Sequence, residues 1–116
     1  MVNLKKTIIL ILTVCFIMIS FPSNALALSV SISPKSQSDY LNKTFEWRIT
    51  VSGQDSFDNS YGDGNLSIWI NMPDGTYYDQ HNYEKKGYYD GIASATSGKP
   101  GEIQITIYDR WSATVI

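Results

Sequence analysis

The sequence predicts an all-β protein, a small antiparallel β-sandwich, behind an N-terminal leader. Three observations carry this. Apolar and polar residues alternate with a period of two in almost every segment after residue 28, and no segment has the period of a helix. Turn signals rich in Gly, Pro, Asp and Asn recur roughly every 8 to 12 residues. Aromatic and β-branched residues, which suit a pleated surface, fill the runs between them.

The leader reads MVNLKKTIILILTVCFIMISFPSNALALS. Lys5 and Lys6 form a positive start, Thr7 to Phe21 is apolar, and Ala25-Leu26-Ala27 is a small-residue cleavage site. The apolar run is shorter than the roughly 20 residues that span a bilayer. Residues 1–27 are therefore expected to be a secretory signal peptide cut after Ala27, with Ala25 as the alternative site and an uncleaved anchor as the competing reading. Val14 precedes Cys15 and the apolar run continues past it, which argues against lipidation there. The single cysteine leaves with the leader.

Residues 28–116 then form one domain without disulfides. Nine basic residues less Lys5 and Lys6 leave seven against eleven acids, a net charge of −4. That balance, without any basic run, argues against nucleic acid or anionic lipid as a partner. The sequons at Asn42 and Asn65 matter only in a eukaryotic secretory pathway. The compact leader and cysteine-free remainder read as bacterial.

Leu28, Val30 and Ile32 share one face until Pro34 stops the run. TFEWRITV is the clearest half-buried strand, with Phe45, Trp47, Ile49 and Val51 inward and Trp47 central between two sheets. Gly53 to Gly64 reads as a polar loop. NLSIWINM follows with Leu66, Ile68, Ile70 and Met72 as the expected core face and Trp69 on the polar side. Pro73-Asp74-Gly75 supplies a turn. Tyr77-Tyr78-Asp79 and Tyr88-Tyr89-Asp90 flank Glu84 to Gly87, which reads as a hairpin pairing Tyr83 with Tyr88. After SGKPG, Ile103, Ile105 and Ile107 alternate with Gln104, Thr106 and Tyr108. The final SATVI is docked in the sheet but unprotected as an edge. Six to seven short strands so spaced predict a sandwich of immunoglobulin-like type, with a small barrel as the alternative.

The stretch GDGNLSIWINMPDGTYYD with GKPGEIQITIYD resembles the secreted bacterial β-sandwich modules known as pre-peptidase C-terminal domains, and other bacterial immunoglobulin-like repeats. Asp63, Leu66, Pro73, Asp74, Gly75, Pro100, Gly101 and Asp109 carry the resemblance, which covers about half of residues 28–116. It implies an accessory module of an extracellular enzyme.

No catalytic signature is present. The one histidine, His81, reads as a solvated or hydrogen-bonded surface residue, and Asp79 and Asp90 as acids facing across the hairpin. Asp55, Asp58, Asn59, Asp63 and Asn65 gather oxygen ligands in the 53–64 segment. Tyr61 and Ile70 fall where an EF-hand needs carboxylates, so only an irregular calcium site on Asp55, Asp58, Asp63 and Asn65 is expected, against an ordinary polar loop. The aromatics are the strongest feature, 13 of 89 residues. Trp69, Tyr108 and Tyr78 are the candidate ligand-binding residues, because flat rings beside short polar groups stack sugars or anchor proteins. Trp69 alternatively packs beneath the 53–64 segment with Phe57 and Tyr61.

The expected function is a secreted, non-enzymatic binding or adhesion module for cell-wall polysaccharide or an extracellular protein. It carries no cofactor beyond that calcium, and no membrane contact after leader removal. A small bacteriocin-like toxin or effector, and an accessory or inhibitor of an extracellular hydrolase, are the alternatives.

Overall fold

The computed structural model describes residues 27–116; the leader reading lies almost wholly outside them. Eight strands occur among the described residues: β1 Ser29–Ser33, β2 Ser36–Asp39, β3 Phe45–Ser52, β4 Ser56–Ser60, β5 Leu66–Ile70, β6 Gly75–His81, β7 Gly87–Ser97 and β8 Ile105–Val115. They form a three-stranded sheet, β1-β3-β6, and a five-stranded sheet, β2-β8-β7-β4-β5. All pairings are antiparallel except β2 with β8. The all-β sandwich-like fold expected from the alternation is thus observed.

The alternation of β3 works as read. Phe45, Trp47, Ile49 and Val51 are buried, while Glu46, Arg48 and Thr50 are exposed. Opposite them, β7 and β8 present small Ala93, Ala95 and Ala113 beside Trp111 and Val115. Small residues leave room for large rings, which is how a thin core reaches native packing density. Trp47 and Trp111 meet across the sheets with ring centroids 4.3 Å apart, and Tyr61 and Phe45 extend the cluster at 5.6 and 6.4 Å. Gly91 makes this possible, because a Cβ there would stand 2.0 Å from the Trp111 ring. The indole nitrogen of Trp47 has no hydrogen-bond partner, a burial cost of about 1–3 kcal/mol that the aromatic contacts offset.

A polar chain also crosses the core. Trp111 Nε1 donates to Asn59 Oδ1 at 2.8 Å, and Asn59 Nδ2 donates to Asp79 Oδ2 at 2.9 Å. Tyr61 Oη donates to the same carboxylate at 2.7 Å, so Ser67 Oγ, 2.5 Å away, donates to Tyr61. Asp79 is only 6% exposed, and these donors satisfy it between the sheets.

Four expectations change. The 53–64 segment is not simply a loop, since it contains β4. Tyr77 to Asp90 is not a hairpin: β6 belongs to one sheet and β7 to the other, with 82–86 crossing between them. Tyr83 accordingly stacks on Tyr89 at 4.1 Å, and buried Asp79 does not face exposed Asp90. SATVI is no edge, because β2 covers it. Ile103 and Ile105 are exposed beyond the sheet overlap, and only Ile107 of that series packs against the core.

The largest correction concerns β5. Leu66, Ile68 and Ile70 face solvent, at 51%, 60% and 67% exposure, as does Met72 just beyond the strand; Ser67 and Trp69 turn toward the other sheet. Register explains this. Trp69 pairs with Phe57, and their rings stack at 4.7 Å and 8°. Ser67 supports buried Tyr61. A sheet margin has a narrow inner side, and one indole with one hydroxyl fills it. A one-residue slip would reverse every side chain and lose both contacts.

Candidate binding face

The register of the five-stranded sheet fixes which side chains share its outer surface. Ile70, Ser56, Thr96 and Thr106 form one cross-strand row. Ile68, Asp58, Ser94 and Tyr108 form the next, and Leu66, Ser60, Ile92 and Arg110 the third. Strands lie about 4.8 Å apart, so Ile68 and Tyr108 stand roughly 14 Å apart across three spacings. The result is an aliphatic ridge on β5, a trough on β4 and β7 whose side chains are short and polar except Ile92, and Tyr108 with Arg110 beyond it. Ser94 Oγ donates to Asp58 Oδ1 at 2.5 Å in the trough floor.

The outer face of the other sheet is different. It shows Glu46, Arg48, Thr50, Thr76, Gln80 and one ring, Tyr78. Tyr78 and Tyr108 are 78% and 65% exposed but lie on opposite sides of the sandwich. With Trp69 turned inward, the three expected ligand-binding residues form no common platform. Only Tyr108 shares a sheet face with a row of exposed aliphatic side chains, across the polar trough from them. The β5 aliphatics alternate as a core face does, so the sequence alone places them inward. The signal that distinguishes them is Phe57, an isolated aromatic on β4 that needs a flat inward partner.

Strand β4 also separates the proposed calcium ligands. From Asp55 to Ser60 the chain spans roughly 17 Å at a strand's rise. Asp55 accepts from Gly98 N at 2.7 Å at one end, and Asp58 accepts from Ser94 on the outer face. At the other end, Asp63 accepts from Asn65 N at 3.0 Å and from His81 Nε2 at 2.6 Å. Among the described residues no group of three or more His, Cys, Asp or Glu is placed to hold a metal ion.

His81 lies flat on Tyr61, centroids 3.9 Å apart, and pairs with Asp63. Burial opposes the Asp63 charge, but the hydrogen bonds from His81 and Asn65 outweigh it and hold this carboxyl below its usual range. Asp109 behaves alike: burial opposes its charge, while Lys35 and Ile32 N favour it more strongly. Burial pushes the phenols of Tyr61 and Tyr83 well above the ordinary tyrosine range, and the Asp79 carboxylate adds to the effect at Tyr61. These groups tie loops and sheets together; none lies on the ridge-and-trough surface.

Comparison with protein-family profiles, characterised proteins and solved structures finds no match for this chain.

Proposed function

We propose that the chain is a non-enzymatic binding module of immunoglobulin-like type, acting outside the cell, that engages a protein through the outer face of its five-stranded sheet. The ridge of Leu66, Ile68 and Ile70 carries this reading, because it places bulky aliphatic side chains in water where the fold does not use them. Tyr108 and Arg110, side chains of the kinds that dominate interface energetics, stand on the same face. A protein is favoured over a glycan because aliphatic ridges bury apolar area, whereas sugar stacking wants adjacent flat rings, and Trp69 is turned away.

The immunoglobulin-like part rests on strand order. β1-β3-β6 against β8-β7-β4-β5 corresponds to strands A, B and E against G, F, C and C′. Tyr89, near the start of β7, donates its hydroxyl to the Lys85 carbonyl at 2.7 Å, as a tyrosine corner does. Gly91, two residues on, stands where antibody domains carry the second cysteine, and the Trp111 ring occupies that space. Secretion rests on the 1–27 leader.

The test is retention on intact cells of the source organism, with and without surface proteolysis, and on peptidoglycan, chitin and cellulose. Wild type is expected on untreated cells only. Tyr108→Ala should weaken retention about tenfold, the scale of one interface anchor, and Tyr78→Ala on the opposite face should leave it unchanged. Retention on a purified polysaccharide, or on cells regardless of Tyr108, would overturn the proposal.

A further inference from the structure

We infer that the free edge of β5 pairs with β5 of a second copy of this chain, joining two five-stranded sheets into one. The inference rests on the binding reading above and names an occupant for the ridge side of that face.

The backbone comes first. Asn71 N donates to the Asp55 carbonyl, and the Asn65 carbonyl accepts from Tyr61 N, so residues 65 and 71 direct their main-chain groups toward β4. Ser67 and Trp69 are in phase with them. Alternation then directs the N–H and C=O groups of Leu66, Ile68 and Ile70 to the open side of the sheet. The same three residues hold the exposed side chains. Main-chain hydrogen-bonding capacity and unburied apolar area therefore coincide along one strand.

Edge protection comes second. Natural sheets guard their margins with charges, Pro, bulges or very short strands. The other margins have such devices, and the stretch of β8 that β2 leaves uncovered carries Asp109 and Arg110. β2 has four residues and ends in Asp39, β1 runs into Pro34 and Lys35, and β6 carries the inward-pointing Asp79. From Asn65 to Met72 there is no charge and no proline, and β5 pairs with β4 in continuous register.

Self-complementarity selects a second copy over a foreign strand. An antiparallel register centred on Ile68 sets Ile68 against itself and Leu66 against Ile70 twice. All three pairs are of the hydrogen-bonded kind, so about six ladder bonds form. The aliphatic side chains become cross-strand neighbours on one face, and the two-fold operation closes the assembly as a dimer. Charges of both signs border each strand end, Lys99 with Asp55 in the cleft beside Ile70 and Asn71, and Asp63 and Glu84 with Lys85 in the cleft beside Asn65, so antiparallel pairing sets no block of like charge against another. A join of one short strand is smaller than a standard interface of about 1,600 Å², so the dimer is reversible.

The experiment uses protein purified after expression of the full chain, examined by sedimentation from roughly 5 to 500 µM, a range chosen for a small reversible interface. The mass is expected to rise from monomer toward dimer. Amide exchange at Leu66, Ile68 and Ile70 should slow about tenfold at the high end, while amides elsewhere keep their rates. Ile68→Lys, which places a like charge against itself, should hold the protein monomeric with an unchanged unfolding midpoint. Ile68→Val should still dimerise. Tyr108→Ala should dimerise normally, so loss of cell retention in that variant reports on the binding face alone. A wild type monomeric throughout, or an Ile68→Lys variant that dimerises as wild type does, overturns the inference and leaves the retention experiment to decide the wider reading.

Discussion

Gly91→Ala adds one methyl group directly against the ring of Trp111, its partner on β8. The new Cβ would lie 2.0 Å from Cε2 and Cζ2 of Trp111, against the 3.5–4.0 Å of ordinary carbon contacts. The ring must move by well over an ångström, and it is 3% exposed with Trp47 centred 4.3 Å away. Overpacking of this sort costs about 1–3 kcal/mol. Displacing the ring also breaks the Trp111–Asn59 hydrogen bond and strands the Asn59 oxygen, about 1–3 kcal/mol more. The expected loss is about 3–5 kcal/mol out of the roughly 5–15 that domains possess. At about 4–8 °C per kcal/mol for a domain this size, the melting temperature should drop by more than about 12 °C. Urea unfolding followed by tryptophan fluorescence measures the change. Gly91→Ala combined with Trp111→Leu should recover about 2 kcal/mol relative to the sum of the singles. A loss under about 1 kcal/mol, or strict additivity, would refute the steric argument.

The inward placement of Trp69 predicts that Trp69→Ala destabilises by about 2–3 kcal/mol, below the full-burial range because the ring is half-covered, whereas Ile68→Ser changes stability by under about 0.5 kcal/mol; the same urea titration compares them. Asp79→Asn keeps one oxygen for Asn59 and Tyr61 but removes the charge and sets an NH2 group against Gln80 N–H, and should cost about 2–3 kcal/mol in that assay. Tyr61 and Tyr83 have phenol pKa values raised in the folded state, so their neutral forms add stability below the unfolded value near pH 10. That stability should fall above pH 10 by about 1.4 kcal/mol per unit for each phenol, and Tyr83→Phe should halve the slope. Asp63 and Asp109 are shifted the other way: their contribution is present above about pH 4 and lost as acid protonates them. Asp63→Asn should flatten the acid limb of a stability–pH curve and also soften its alkaline limb, because the Asp63 charge helps raise the Tyr83 and Tyr61 phenols.

How far the chain was readable depended on how unequal the two faces of each strand are. β3 was plain because large apolar residues alternate with charged ones, and only one orientation buries them. β5 sets three aliphatics on one face against a lone indole beside Ser67 on the other, so counting residues favours Leu66, Ile68 and Ile70, while packing favours one indole with a ring to stack on. β4 was hidden because its inner side holds only Phe57 and Asn59, and Asn59 becomes a core residue only through Trp111 and Asp79, distant in sequence. The supposed hairpin failed because Gly87 marks a change of sheet as readily as a tight turn. On the candidate face, Tyr108 was legible from its polar neighbours. The ridge was not, since its exposure follows from β5 being a margin, a property of the assembled sheet.

The parallel pairing of β2 with β8 has a mechanical consequence. The run from Ser29 through Asp39 advances in the direction of β8, from Ile32 beside Asp109 to Asp39 beside Val115. Ala27 and Ile116 therefore lie at opposite poles of the sandwich. Tension applied between those poles pulls β2 and β8 lengthwise past each other, loading their hydrogen bonds together. Bonds sheared in parallel resist far more force than bonds peeled one at a time. A module strung between two anchors by these ends would behave as a stiff link, yielding abruptly once β2 slips along β8.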